Sequence, residues 1–261
     1  MKSPWSRLRN RLVRWHESLI RAHVSRRVVD AAPPAPDATT PTAACHPERD
    51  FFVRTEASPD IAHVEQICAK ARFGLFSRRW PAVPDGGAGC VRFRPDGFDV
   101  DVPPGKPRRW VFFQQKNPAP GPCALSFDFI LGSEFTEFQI PFRIRHLARR
   151  CRFILVDNRS LNFEVVDRGC FLRGIRSVPL RLEIGRNYHA EVLFCKEACA
   201  FSLDGRPLLS VRIDLPWIGS SPDPFGIIVF EKSTDRRILA SLSHMAIGRR
   251  IGENTDPGRT P

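Results

Sequence analysis

The sequence predicts a mainly β chain, an antiparallel β-sandwich, on three observations. Between about residues 90 and 250, apolar and polar residues alternate at every second position, the period of a strand with one buried and one wet face. Turn signals interrupt the alternation at Asp157-Asn158, Asp167-Arg168-Gly169, Gly185-Arg186-Asn187, Asp204-Gly205 and Ser220–Asp223. Short strands with a turn about every 8–12 residues build sandwiches or barrels. Twenty phenylalanines, most of them in this region, supply the bulk of a core.

The expected elements run as follows. Trp5, Leu8, Leu12, Trp15 and Leu19 recur at steps of three and four, which puts them on one face of a helix. Arg7, Arg11, Arg14 and Arg21 lie largely off that stripe, and residues 1–29 hold eight basic residues against one acid, Glu17. Residues 1–30 therefore read as a basic amphipathic helix. Such a helix lies on an anionic membrane, fills a partner's groove, serves as a targeting presequence, or docks on its own domain. Residues 31–50, with Ala31-Ala32-Pro33-Pro34-Ala35-Pro36, read as a Pro/Ala-rich linker that sustains neither helix nor sheet. Within the domain at 51–250, residues 58–73 predict a short accessory helix. Ser58 caps it, Pro59 takes the first helical position, and Ile61, Val64, Ile67, Cys68 and Ala71 form its apolar face. Residues 251–261 read as a disordered tail.

Cys90–Val102 predicts a hairpin around Pro95-Asp96-Gly97, and Trp110–Gln114 a short strand. Odd positions are apolar over 125–131 and even positions over 138–144. Further strands are expected at 152–157, 161–166, 178–184, 189–195, 199–204, 208–213, 225–231 and 238–244. Pro141 inside a strand pattern indicates an edge or a bulge.

The chain has 261 residues and a net charge of +12, with only six lysines among forty cations. Arginine codon bias and a polyanionic partner both account for this. No apolar run reaches the ~18 residues of a membrane span, and no secretory signal is legible. A soluble intracellular chain is expected, so the eight cysteines are expected as free thiols.

Tyr188-His189-Ala190-Glu191-Val192-Leu193-Phe194 and its continuation to Asp204-Gly205-Arg206-Pro207-Leu208 resemble the concanavalin A-like and laminin-G-like jelly rolls. In those domains an aromatic–His start, a tight turn, a strand ending in Asp-Gly and a return strand recur. Phe225–Phe230 and Leu239–Ile247 resemble their last two strands. The resemblance spans roughly residues 90–250 and implies a jelly-roll sandwich with a lectin-like face. The galectin His-x-Asn-x-Arg strand is missing.

No catalytic motif is complete. Glu134-Phe135-Thr136-Glu137 lacks the central Asp of a glucanase strand, and its spacing sets the two carboxylates on opposite faces. Arg54-Thr55-Glu56 and Gln139-Ile140-Pro141 only echo the alginate-lyase-like strands, with Pro in the place of the base His. His146, His189 and His244 are isolated in sequence and read as structural. Cys195 and Cys199 lack the further ligands of a zinc site. No catalytic residue, metal ligand or cofactor is assigned.

The informative constellation is basic and polar. Arg143, Arg145, Arg149, Arg150 and Arg152 cluster around one strand and the loop after it, with His146 among them; Arg143 and Arg145 share a strand face with Glu137 and Gln139. The next strands add Arg159, Asn162 and Glu164. Arginine pairs bidentately with carboxylate, sulfate or phosphate, so a wet face of this composition suits a polar or anionic glycan. Gln139, Arg143, Arg145, Asn162 and Glu164 are the expected contacts, with Trp110 as a stacking surface and Trp217 as a second such candidate. The leading expectation is a non-catalytic, lectin-like binding module for such a saccharide. The alternatives are a structural or adaptor protein held to a protein assembly or anionic membrane by residues 1–29, and a diverged glycan lyase or hydrolase. Nucleic acid is less supported, because the aromatics fall at core positions.

Overall fold

The structure, a computed structural model, describes residues 4–32, 43–44, 51–57, 90–105, 109–115, 123–146, 149–168, 170–194, 198–216, 225–233 and 235–249. In chain order these form α1 (Pro4–Ser25), β1 (Val28–Asp30), β2 (Ala43–Ala44), β3 (Phe51–Ala57), β4 (Val91–Arg94), β5 (Gly97–Val102), β6 (Arg109–Gln115), β7 (Cys123–Leu131), β8 (Glu137–His146), β9 (Arg149–Val156), β10 (Ser160–Asp167), β11 (Cys170–Pro179), β12 (Asn187–Phe194), β13 (Ala198–Leu203), β14 (Arg206–Ile213), β15 (Gly226–Glu231) and β16 (Ile238–Arg249).

Two antiparallel sheets result. One has nine strands in the order β1-β14-β13-β12-β7-β16-β5-β4, with β2 paired to β16; the other has seven in the order β11-β10-β9-β8-β15-β6-β3. Alternate side chains meet between them. Phe127 of β7 lies 6.1 Å from Phe138 of β8, Phe142 of β8 lies 4.5 Å from Phe194 of β12, and Phe153 of β9 lies 5.7 Å from Phe201 of β13, measured between ring centroids. The expected period of two thus becomes one continuous aromatic core.

Turn chemistry closes the hairpins. Asp157 and Asn158 adopt φ of 48° and 54° in the three-residue loop between β9 and β10, and Asp204 and Gly205 adopt 49° and 75° in the two-residue loop between β13 and β14, left-handed pairs of the kind that tight hairpins favour. Pro141 sits where β8 leaves its regular ladder. Pairing with β15 stops at Gln139, and the register with β9 shifts after Phe142.

Several expectations change. The strand expected at 178–184 lies earlier, as β11, and residues 180–184 are irregular. Gly174 has a positive φ of 58°, and the β10–β11 register shifts between Phe163 and Val165, so alternation there is broken. The Leu180 and Leu182 pattern, which resembles a strand, packs a loop. β1 and β3 were not foreseen, and within the expected linker Ala43 and Ala44 pair with Ile247 and Ala246. The accessory helix at 58–73 and the tail at 251–261 lie outside the described residues.

The basic helix is not held apart from the sandwich. β1 adds to β14 at the edge of the nine-stranded sheet, and α1 packs against β11 at the edge of the seven-stranded one. Ile20, Val24 and Val28 enter the core. Arg21 donates to the Arg173 carbonyl at 3.1 Å, and Arg176 donates to Asp30 at 2.9 Å. Together α1 and β1 close one open side of the sandwich.

Candidate binding site

The outer face of the seven-stranded sheet carries Glu137 and Gln139 of β8, Arg150 and Arg152 of β9, and Asn162 and Glu164 of β10. These positions alternate with inward Phe138, Ile140, Phe153 and Phe163. The sequence implies a wet face. At its centre the structure shows a buried one: Gln139 is 1% exposed, Arg152 2% and Glu164 3%.

Burial is made tolerable by pairing. Arg152 Nε and Nη2 donate to Glu164 Oε2 at 3.0 and 2.5 Å, and its Nη1 donates to Gln139 Oε1 at 2.8 Å. Gln139 Nε2 donates to Glu137 Oε2 at 2.6 Å, and Arg173 approaches the other oxygen of Glu137 at 3.6 Å. The Arg152 guanidinium also stands 5.5 Å from the Phe171 ring centroid. Two guanidinia and two carboxylates balance, so Gln139 and Glu164 spend their polar groups on one another through Arg152. Asn162 differs: it is half-buried, and its Nδ2 donates to Ser160 Oγ at 3.2 Å. Arg143 and Arg145 continue the backbone of β8, and Trp110 pairs with Phe230 and Glu56 on β6; their side chains, and all of Trp217, lie outside the described residues.

An open groove of about 560 Å³ borders this face at the end of the β9–β10 hairpin. Glu134, Asp157, Asn158, Arg159, Pro179, Leu180, Arg181 and Leu182 line it. The segment after β11 is tied to the hairpin by backbone bonds from Leu180 to the Arg159 carbonyl at 2.9 Å and from Leu182 to the Asn158 carbonyl at 3.0 Å. The amide of Asp157 donates to the Thr136 carbonyl at 2.9 Å, which fixes the turn against the strand entry beside Glu134. Glu134, Asp157, Arg159 and Arg181 are exposed; Asn158 is 7% exposed, and its Nδ2 has no hydrogen-bond partner among the described residues. The groove thus offers carboxylate acceptors, guanidinium donors and an amide beside an aliphatic floor, in a volume typical of small-molecule sites. Sequence reading saw Asp157-Asn158 only as a turn, set Glu134 aside and missed Arg181, because these residues converge only once the hairpin meets the loop after β11.

A second cluster lies on the outer face of the nine-stranded sheet. His189 Nδ1 and His244 Nδ1 lie 2.6 and 3.0 Å from the two oxygens of Asp128. Burial pushes the Asp128 carboxyl up, and the hydrogen bonds from the two imidazoles outweigh it, so it titrates below the usual carboxylate range. His244 reaches Asp128 from a bulge in β16, where its φ is 49° and the register with β7 shifts. Among the described residues no group of three or more His, Cys, Asp or Glu side chains is arranged to hold a metal ion, and no helix is long and apolar enough to cross a membrane. Cys151, Cys170 and Cys199 are buried, and Cys90 is half-buried.

No protein-family model matches the chain, and no curated protein sequence matches it. Among solved structures it is similar to the carbohydrate binding module CBM66 from Bacillus subtilis, at 11% identity over 60% of this chain and 89% of that one, with a TM-score of 0.46. It is also similar to lectin II from Ulex europaeus, at 9% identity over 64% and 95% of the two chains with a TM-score of 0.47. A third is the alginate lyase AlgAT5 from Polysaccharide Lyase family 7, at 10% identity over 61% and 82% with a TM-score of 0.45. By its own sheet order and pairing, the chain has a concanavalin A-like jelly-roll β-sandwich fold.

Proposed function

We propose that the protein is a non-catalytic binding module for a polar or anionic saccharide. The observation that carries this reading is the groove, where Glu134, Asp157, Arg159 and Arg181 surround the buried Asn158 amide. Carboxylates accept hydrogen bonds from sugar hydroxyls, and arginines donate to hydroxyls or pair with a uronate or sulfate. Asn162 extends the contact surface along β10. Gln139 and Glu164 act as positioning residues, since the Arg152 network holds β8, β9 and β10 in register beneath the ligand. Arg143, Arg145 and Trp110 supply further contacts along the same sheet.

The test is a glycan array carrying uronate-bearing, sulfated and neutral oligosaccharides, read at stepped salt concentrations. Anionic saccharides are expected to bind most tightly and to weaken as salt rises. Arg181→Ala is expected to weaken binding about tenfold or more, the size of one lost charge-assisted hydrogen bond, with the melting temperature unchanged. Absence of binding to every saccharide at low ionic strength overturns the proposal.

A further inference from the structure

The docking of α1 leaves its apolar stripe uncovered. Ile20 and Val24 face the sandwich and are buried. Leu12, Trp15 and Leu19 face outward, at 56%, 63% and 50% exposure. They are spaced i, i+3 and i+7, so they form one continuous strip, while Ile20 lies about 100° further round the helix from Leu19. Trp5 and Leu8 continue the same spacing in the sequence. Three of the five exposed large apolar residues among the described residues belong to this strip.

The surroundings of the strip are cationic. Arg11 and Arg14 are exposed, Arg21 turns toward the sandwich and donates to the Arg173 carbonyl, and Glu17 is the single acid of α1. We infer that the uncovered face of α1 is a docking surface for an anionic lipid bilayer, with Leu12, Trp15 and Leu19 entering the headgroup–acyl boundary and the arginines pairing with lipid phosphates. An exposed apolar strip bearing tryptophan, bordered by arginine, is the composition of a helix that lies in the plane of a membrane surface. Charge argues against a second copy as the occupant. A twofold pairing of two such strips brings each arginine row toward its own equivalent, and like charges repel across an interface. Because α1 is clamped to β11 and β1, the bilayer fixes the orientation of the whole sandwich and not only of a tethered helix.

The test uses the full chain in co-sedimentation with phosphatidylcholine vesicles, with or without roughly a third phosphatidylglycerol. Binding is expected only to the anionic vesicles and is expected to fall steeply as salt rises. The double substitution Leu12→Glu/Leu19→Glu is expected to reduce partitioning at least about tenfold, with the melting temperature unchanged because both side chains are exposed. Trp15→Phe is expected to retain binding. No partitioning onto anionic vesicles at low salt, or equal partitioning by the double variant, overturns the inference. So does a wild-type dimer that the double variant dissolves, which assigns the strip to a protein contact. Saccharide binding is expected to be identical in wild type and the double variant, so the groove and the helix fail or succeed separately.

Discussion

Arg152 decides the chemistry of the sheet face. It is a buried cation held by Glu164 and Gln139, and removing one partner of such a pair leaves a charge stranded in a poorly solvated site. Arg152→Ala is therefore expected to cost about 3–5 kcal/mol, measured as a lower denaturation midpoint in urea; a loss below about 1 kcal/mol would mean that water already reaches the network. Asp128 governs a pH response on the opposite sheet. Its folded titration point lies below the ordinary carboxylate value. Its ionised form thus contributes stability that is present above about pH 4 and lost as the pH falls through the lower folded value. Asp128→Asn is expected to flatten that acid limb. Superimposable curves of melting temperature against pH for the two proteins below about pH 5 would refute the assignment. Neither pairing is legible in the sequence, since Arg152 and Gln139, or Asp128 and His244, meet only across neighbouring strands.

At the level of elements, α1 has two apolar faces with different fates. Ile20→Ala is expected to destabilise the protein by about 2–4 kcal/mol, the range for a buried aliphatic truncation. Leu19→Ala is expected to stay within about 0.5 kcal/mol, as exposed sites do. Thermal or urea unfolding of the two variants checks this contrast, and equal losses would mean that the helix docks through the other face. Periodicity read the helix correctly and chose the Trp5–Leu19 stripe as its apolar face, yet Ile20 and Val24 are the residues that dock. The strand α1 packs against, β11, lies about 150 residues away along the chain, so local spacing carries no signal for them. The same limit explains β11. Its interior Arg173, Gly174 and Arg176 break the two-residue alternation, while the loop residues Leu180 and Leu182 imitate it.

Across the whole molecule, the sequence by itself determined the architecture. Alternation over 160 residues and left-handed turn residues at Asp157-Asn158 and Asp204-Gly205 are local properties, and they suffice to specify antiparallel hairpins that must bury one face. The resemblance to the concanavalin A-like jelly rolls was legible for the same reason. Only the tertiary structure decided what the polar residues do. Strand order placed Gln139, Arg152 and Glu164 in one buried network and left Asn162 near the surface. It also brought Glu134, Asp157 and Arg181 around one groove and turned the Leu12–Leu19 strip of α1 outward. These outcomes depend on which strands become neighbours and which face another element covers. Such non-local facts are set by the packing of the whole core, and the period of a single strand or helix does not encode them.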